Sequence, residues 1–122
     1  MKVSEISEFK LIQILKDVVS KDQLTQLHRL NSKGYRLRLS IGDDAAAWDV
    51  DTSTQVFTTD ALVEGVHFET STISWNDLGW KCMAVNLSDL AAMGCFPTFS
   101  TITLGLPGIT PVEGLIEMYE GI

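Results

Sequence analysis

An α+β fold of the α/β-sandwich kind, with helices packed on a sheet, is what this sequence predicts. Three observations carry that expectation. Apolar residues recur at helical spacing near both ends, β-branched and alternating runs fill the stretches between, and one long apolar segment from about Trp75 to Met93 reads as a central helix. With 122 residues, 45% of them apolar, the chain is long enough for one cored domain and short for two.

From Ser7, "SEFKLIQILKDVV" places Phe9, Ile12, Leu15 and Val19 at helical spacing, with Ser7 or Ser4 as the N-cap. In "KDQLTQLHRL", Leu24, Leu27 and Leu30 fall on one side of a second helix, and "NSKG" stops it at Gly34. His28 reads as a helix-surface residue. "YRLRLSI" alternates Tyr35, Leu37, Leu39 and Ile41 with polar residues and reads as a strand. "QVFTTDALV", rich in Val, Thr and Phe, reads as another, with "GDDAAAWDVDTST" as the linker between them. The helix from about Trp75 to Met93 opens on an Asn76/Asp77 capping signal and closes at Gly94, with Pro97 just beyond. "TFSTITLGLP" reads as a third strand. The last segment, "TPVEGLIEMYEGI", has Thr110 as candidate N-cap, Pro111 as first helical residue, and an apolar pattern through Val112, Leu115, Ile116 and Tyr119. That helix ends with its pattern still running, so the chain reads as a piece of something longer.

The net charge of −7 repels nucleic-acid backbones and anionic membrane surfaces. An anionic ligand would therefore need a local device, a cation or a helix N-terminus, to hold it. Two cysteines, Cys82 and Cys95, without metal-type spacing make no disulfide framework and fit a reduced cytoplasm. No apolar run reaches the roughly 18 residues of a membrane span, and "MKVSEISEF" lacks a signal-peptide core.

Chemistry concentrates in three places. Asp43 and Asp44 in "SIGDDAAAW" form a Gly-Asp-Asp turn, common for backbone reasons alone. Asp60 lies within "VFTTDALV", where aspartate is a poor strand former; a period of two puts Thr58 on its face, and Thr59 offers another oxygen. An edge strand with a solvated polar face is the alternative. Asp89 is the only charged residue of "CMAVNLSDLAAMGCFP", one turn from Asn86, in a helix apolar enough to be buried. An unpaired buried carboxylate costs several kcal/mol, so a cation or strong donors should hold it. Lys81, two turns away, reads as solvated. Three convergent carboxylates would repel unless Mg²⁺, which prefers hard oxygen ligands, neutralised them. There is no Gly-rich phosphate loop with Lys-Ser/Thr. His67, after Gly65, is a surface histidine taken alone and, beside Asp60, a donor to a phosphate or substrate oxygen. Glu64 stays unassigned, and Trp75 and Trp80 read as core or interface.

Taken together, "IGDDAA" at 41–46, "TTDALVEGVHF" at 58–68 and "LGWKCMAVNLSDLAAMGCFP" at 78–97 resemble the N-terminal domain of the thiamine-monophosphate kinases, in the aminoimidazole-ribotide synthetase-like superfamily. The resemblance runs in order along nearly the whole chain. It implies a sheet of about four strands, an N-terminal ATP- and Mg²⁺-binding and dimerisation domain over residues 1–122, and transfer of the ATP γ-phosphoryl to thiamine monophosphate. It implies Asp44, Thr58, Thr59, Asp60 and Asp89 as Mg²⁺ ligands and His67 as a substrate contact, with Asp43 and Asn86 as additional candidates and no side chain in a catalytic acid–base role. It further implies a homodimer built through the N-terminal sheet.

Two departures matter. Cys82 stands where the family usually has alanine. The family's glycine-rich segment with a further metal-binding aspartate, and its C-terminal domain, have no counterpart in these residues, so little or no kinase activity is expected of this chain alone. Other superfamily enzymes, such as selenophosphate synthetases or hydrogenase-maturation proteins, and a non-catalytic dimerisation or nucleotide-binding module are the alternatives.

Overall fold

A computed structural model describes residues 1–21, 23–42, 45–51 and 54–122. After a short 3-10 turn at Val3–Glu5 come α1 (Glu8–Val19), α2 (Gln23–Asn31), β1 (Tyr35–Leu39), β2 (Ala47–Val50), α3 (Trp75–Ala92) and α4 (Val112–Gly121). Helices and an antiparallel two-stranded sheet make the fold α+β.

Local chemistry starts and stops these elements where side chains can replace missing backbone partners. The Ser7 hydroxyl accepts from the Lys10 N–H at 3.3 Å and starts α1. Gly34, at φ +84°, turns the chain from α2 into β1. Ser74, rather than Asn76 or Asp77, caps α3: its hydroxyl accepts from the Asp77 N–H at 3.0 Å and donates to the Asp77 carboxylate at 2.7 Å. At the other end, Gly94 N–H bonds Ala91 O and Cys95 N–H bonds Leu90 O, a Schellman closure with Gly94 at φ +66°. For α4 the cap is Pro111, one residue later than expected.

The core lies between helices. Leu15 of α1, Leu78 of α3, and Leu115, Met118 and Tyr119 of α4 form it, with Leu62, Phe68, Ile102, Leu104 and Leu106 packed against its side. In α1 the inward face is Leu11, Leu15 and Val18; Phe9, expected on it, is 83% exposed. The α3–α4 contact is a backbone contact made through glycines. A Cβ on Gly79 would lie 1.9 Å from the Met118 carbonyl oxygen, one on Gly121 2.0 Å from that of Asn76, and one on Gly114 would strike the Trp75 ring. The N-terminal segment is clipped to the start of α4, where Val3 N–H bonds Thr110 O and Val112 N–H bonds Met1 O, each at 2.9 Å.

The expected sheet needs correction. The presumed linker contains β2, which pairs with β1 in the register Tyr35↔Val50, Arg36↔Asp49 and Leu37↔Trp48, with an irregularity before Leu39↔Ala47. Ion pairs Arg36–Asp51 and Arg38–Asp49, both at 2.6 Å, brace the hairpin. Conversely, "QVFTTDALV" and "TFSTITLGLP" are not strands: residues 56–62 and 98–106 make no backbone–backbone hydrogen bonds among the described residues. Their composition suits a strand, but a strand exists only with a ladder partner, and these have none among the described residues. Among the described residues two strands, instead of about four, are therefore paired.

Cys82 sits half-buried on α3, and burial pushes its thiol above the ordinary 9.0. Tyr119 is likewise raised, by burial first and then by its proximity to Cys82. Both groups hold their protons more tightly folded than unfolded, so stability is expected to fall as pH climbs past about 9. In native protein at pH 8, iodoacetamide should label Cys82 at least about tenfold more slowly than after unfolding, because the thiolate is the reactive form. Equal labelling rates, read by peptide mass spectrometry, would contradict this.

Candidate functional site

An open groove of about 570 Å³ runs between one face of α3 and the extended segment before it. Trp80, Lys81, Ala84, Val85, Ser88 and Asp89 line it from α3, positions that repeat along one side of a helix. Asp60, Ala61, Leu62 and His67 line it from the other bank. Two contacts position that bank: Leu62 packs against the core, and the Thr58 hydroxyl reaches Asp89 on α3.

Thr58 Oγ1 donates to Asp89 Oδ2 at 2.8 Å, tying segment and helix across 31 residues of sequence. Asp60, His67 and Asp89 thus share one groove, and Thr58 joins them through Asp89. Asp89 is exposed, contrary to the burial expected from the composition of its helix. The apolar residues of α3 are spread around its circumference, Leu87 and Met93 standing in solvent, and only Leu78 and Gly79 are buried. Neither Asp60 nor Asp89 has an ion-pair partner among the described residues.

Other expected members are placed differently. Thr59 is exposed and does not line the groove. The Asn86 amide donates along its own helix to Cys82 O at 3.0 Å. Asp43 and Asp44 lie outside the described residues, and among the described residues no three His, Cys, Asp or Glu side chains converge to hold a metal.

A tight turn sets His67. His67 N–H bonds Val63 O and Gly65 N–H bonds Phe68 O, both at 2.8 Å, with Gly65 at φ +79°. The Val63 N–H donates to His67 Nδ1 at 3.0 Å. Glu64 accepts from the Thr70 hydroxyl within the same loop. Lys81, expected to be solvated, is half-buried and donates to His67 O at 2.5 Å. Its spacing held the clue: Lys81, Val85, Ser88 and Asp89 follow i, i+4, i+7, i+8, the signature of one helix face. Of the two tryptophans, Trp75 packs toward the core, while Trp80 is 67% exposed at the groove rim.

An open groove lined by two acidic side chains, a lysine and a histidine, with a hydroxyl bonded to one of the acids, has groups that can hold a cation and groups that can hold an anion. Residues 42–122 match the model of the AIR synthase related protein, N-terminal domain, and the chain belongs to that family. Within it, the chain is similar to the thiamine-monophosphate kinase of Aquifex aeolicus, 35% identical over 122 residues that cover 100% of this chain and 34% of that protein. It is 42% identical to that of Rhodopirellula baltica over 95 residues (71% of this chain, 30% of that protein). Against that of Escherichia coli K12 it is 44% identical over 93 residues (75% and 28%). The chain spans about a third or less of the length of these relatives. No solved structure matches it.

Proposed function

We propose that residues 1–122 form the N-terminal metal- and nucleotide-binding part of an ATP-dependent kinase that phosphorylates thiamine monophosphate to thiamine diphosphate. The Thr58–Asp89 bond carries the reading, because it brings the second and third motifs of the resemblance into one groove with Asp60 and His67. The similarity to thiamine-monophosphate kinases supplies the substrate pair.

The oxygen-rich pair suits Mg²⁺: among the described residues the Asp60 and Asp89 carboxylates have no cations of their own, and hard oxygens are what that ion takes. Asp60, Asp89 and Thr58 would hold it, with Thr59 and the aspartates at 43 and 44 as further ligands. Bound there, Mg²⁺ supplies charge neutralisation for nucleotide phosphates, the main requirement of phosphoryl transfer. The chain's own residues position: Thr58 orients the Asp89 carboxylate, and the 63–68 turn presents His67 to the substrate. The acidic chain needs such a device, since it otherwise repels ATP.

The site also needs company. Segments 56–62 and 98–106 make no backbone–backbone hydrogen bonds among the described residues, and pairing with a second copy would satisfy their donors and acceptors. A homodimer joined through these segments is the expected assembly, in a reducing cytoplasm. Dimer mass at micromolar concentration in sedimentation equilibrium supports it, and a strictly monomeric mass refutes it. No described helix is long and apolar enough to cross a membrane.

The test is a thermal shift with a non-hydrolysable ATP analogue, with and without Mg²⁺. Saturating ligand should raise stability by about 2.7 kcal/mol at a hundredfold excess over Kd, on the order of 10 °C in Tm. Asp89→Asn, nearly isosteric at an exposed position, should fold normally and lose the shift. A wild-type chain that shows no Mg²⁺-dependent shift refutes nucleotide binding by this part of the protein.

A further inference from the structure

The charged side chains of the groove have not neutralised one another. Among the described residues Lys81 Nζ makes no ion pair within 4.0 Å, although Asp60 and Asp89 line the same groove. One of its three protons goes to His67 O, leaving two to offer. His67 contributes a third donor, and the reason is backbone chemistry. The Val63 N–H can only donate, so His67 Nδ1 must accept, and the neutral ring carries its proton on Nε2. Both donors are held before any ligand arrives: the imidazole by its own turn, and that turn by the Lys81 ammonium. The groove is thus divided into a carboxylate end, Asp60 and Asp89 with Thr58, and a donor end, Lys81 and His67.

We infer that Lys81 Nζ and His67 Nε2–H together form an anion subsite for the terminal oxygens of a phosphate monoester. The assignment rests on the phosphoryl-transfer reading above and adds to it the residue that grips the phosphate-bearing acceptor. Lys81 does two things here, donating to the phosphate and, through the His67 carbonyl, orienting the imidazole. A charge-assisted bond from an ammonium to a phosphate oxygen is roughly twice as strong as a neutral one, so Lys81 dominates the affinity and His67 the geometry. Two donors on neighbouring backbone elements also fix direction, turning the remaining phosphate oxygens toward Asp60 and Asp89, where a cation belongs.

The experiment is NMR on the ¹⁵N-labelled whole chain, with inorganic phosphate and Mg²⁺ titrated separately as probes. In the free wild-type chain the His67 ring should show the Nε2–H tautomer, and phosphate should shift the Nε2 and Lys81 signals. Lys81→Met should weaken phosphate at least about tenfold while leaving the Mg²⁺ response at Asp60 and Asp89 intact. Lys81→Arg, which keeps the charge and the carbonyl bond, should recover most of the phosphate affinity and guards against a folding defect in the methionine variant. An Nδ1–H tautomer, a wild-type chain blind to phosphate, or equal phosphate affinity in Lys81→Met overturns the subsite. Loss of the Mg²⁺ response in the wild type would instead strike the metal-site reading, so the two failures are distinct.

Discussion

Gly79→Ala is expected to cost the chain about 3 kcal/mol, and Gly79→Leu to leave no cooperative unfolding transition at all. Two effects compete in the alanine variant. Replacing a mid-helix glycine gains up to about 1 kcal/mol of helix propensity. Against this, the new Cβ would lie 1.9 Å from the Met118 carbonyl oxygen, which is backbone and has no rotamer through which to escape. The helices must separate, and overpacking of this kind typically costs about 1–3 kcal/mol, occasionally more. Separation also lifts Leu78 off Leu115 and Met118, so the upper part of that range applies. With a total stability of about 5–15 kcal/mol, leucine at the same place exceeds what the fold can absorb. Urea denaturation followed by circular dichroism measures both variants. An unchanged midpoint for Gly79→Ala would show that α3 and α4 do not pack through their backbones.

Leu115→Ala should be nearly as damaging, at about 3–4 kcal/mol. Leu115 is fully buried at the centre of the α1–α3–α4 core, where the lost transfer energy and the cavity left behind add. The contrast is Leu24→Ala on α2: that side chain is 81% exposed, and the change should stay within about 0.5 kcal/mol. Comparable losses at the two positions would mean that the core is centred elsewhere.

The elements legible in the sequence are those whose signals are local. The Ser7 cap, the Gly34 stop and the Gly94 closure of α3 depend on residues within a few positions of one another and stand where expected, while the β1 alternation holds for Tyr35 and Leu37 and fails at Leu39, which is exposed. What was not legible depends on distant partners. β2 was hidden because Ala47 and Asp49 are poor strand formers, and its strand character comes from pairing with β1 and the Arg38–Asp49 ion pair. Segments 56–62 and 98–106 have the right composition without a partner among the described residues. The candidate site divides the same way. Parity in "TTD" placed Thr58 and Asp60 together, whereas the burial of Asp89 was inferred from composition when only the face of α3 could decide it. Lys81 was passed over for lack of a carboxylate neighbour, although its partner is a carbonyl. Glycines 79, 114 and 121 were silent, since a missing side chain leaves no periodic mark.

Leu115, Met118 and Tyr119 follow Leu15 by about a hundred residues, which orders events during synthesis. At roughly 5–20 residues per second, α1 leaves the ribosome seconds before the helix it packs against exists. Through that interval Leu15 has no α4 to cover it, and the N-terminal residues have no Pro111 to clip onto. Local helices can form during translation, but the nucleus that unites them spans about a hundred residues and must wait for the last one. Ribosomes stalled before Leu115 is exposed should therefore carry a chain that proteases cut freely, and stalling a few turns later should yield resistance in a single step.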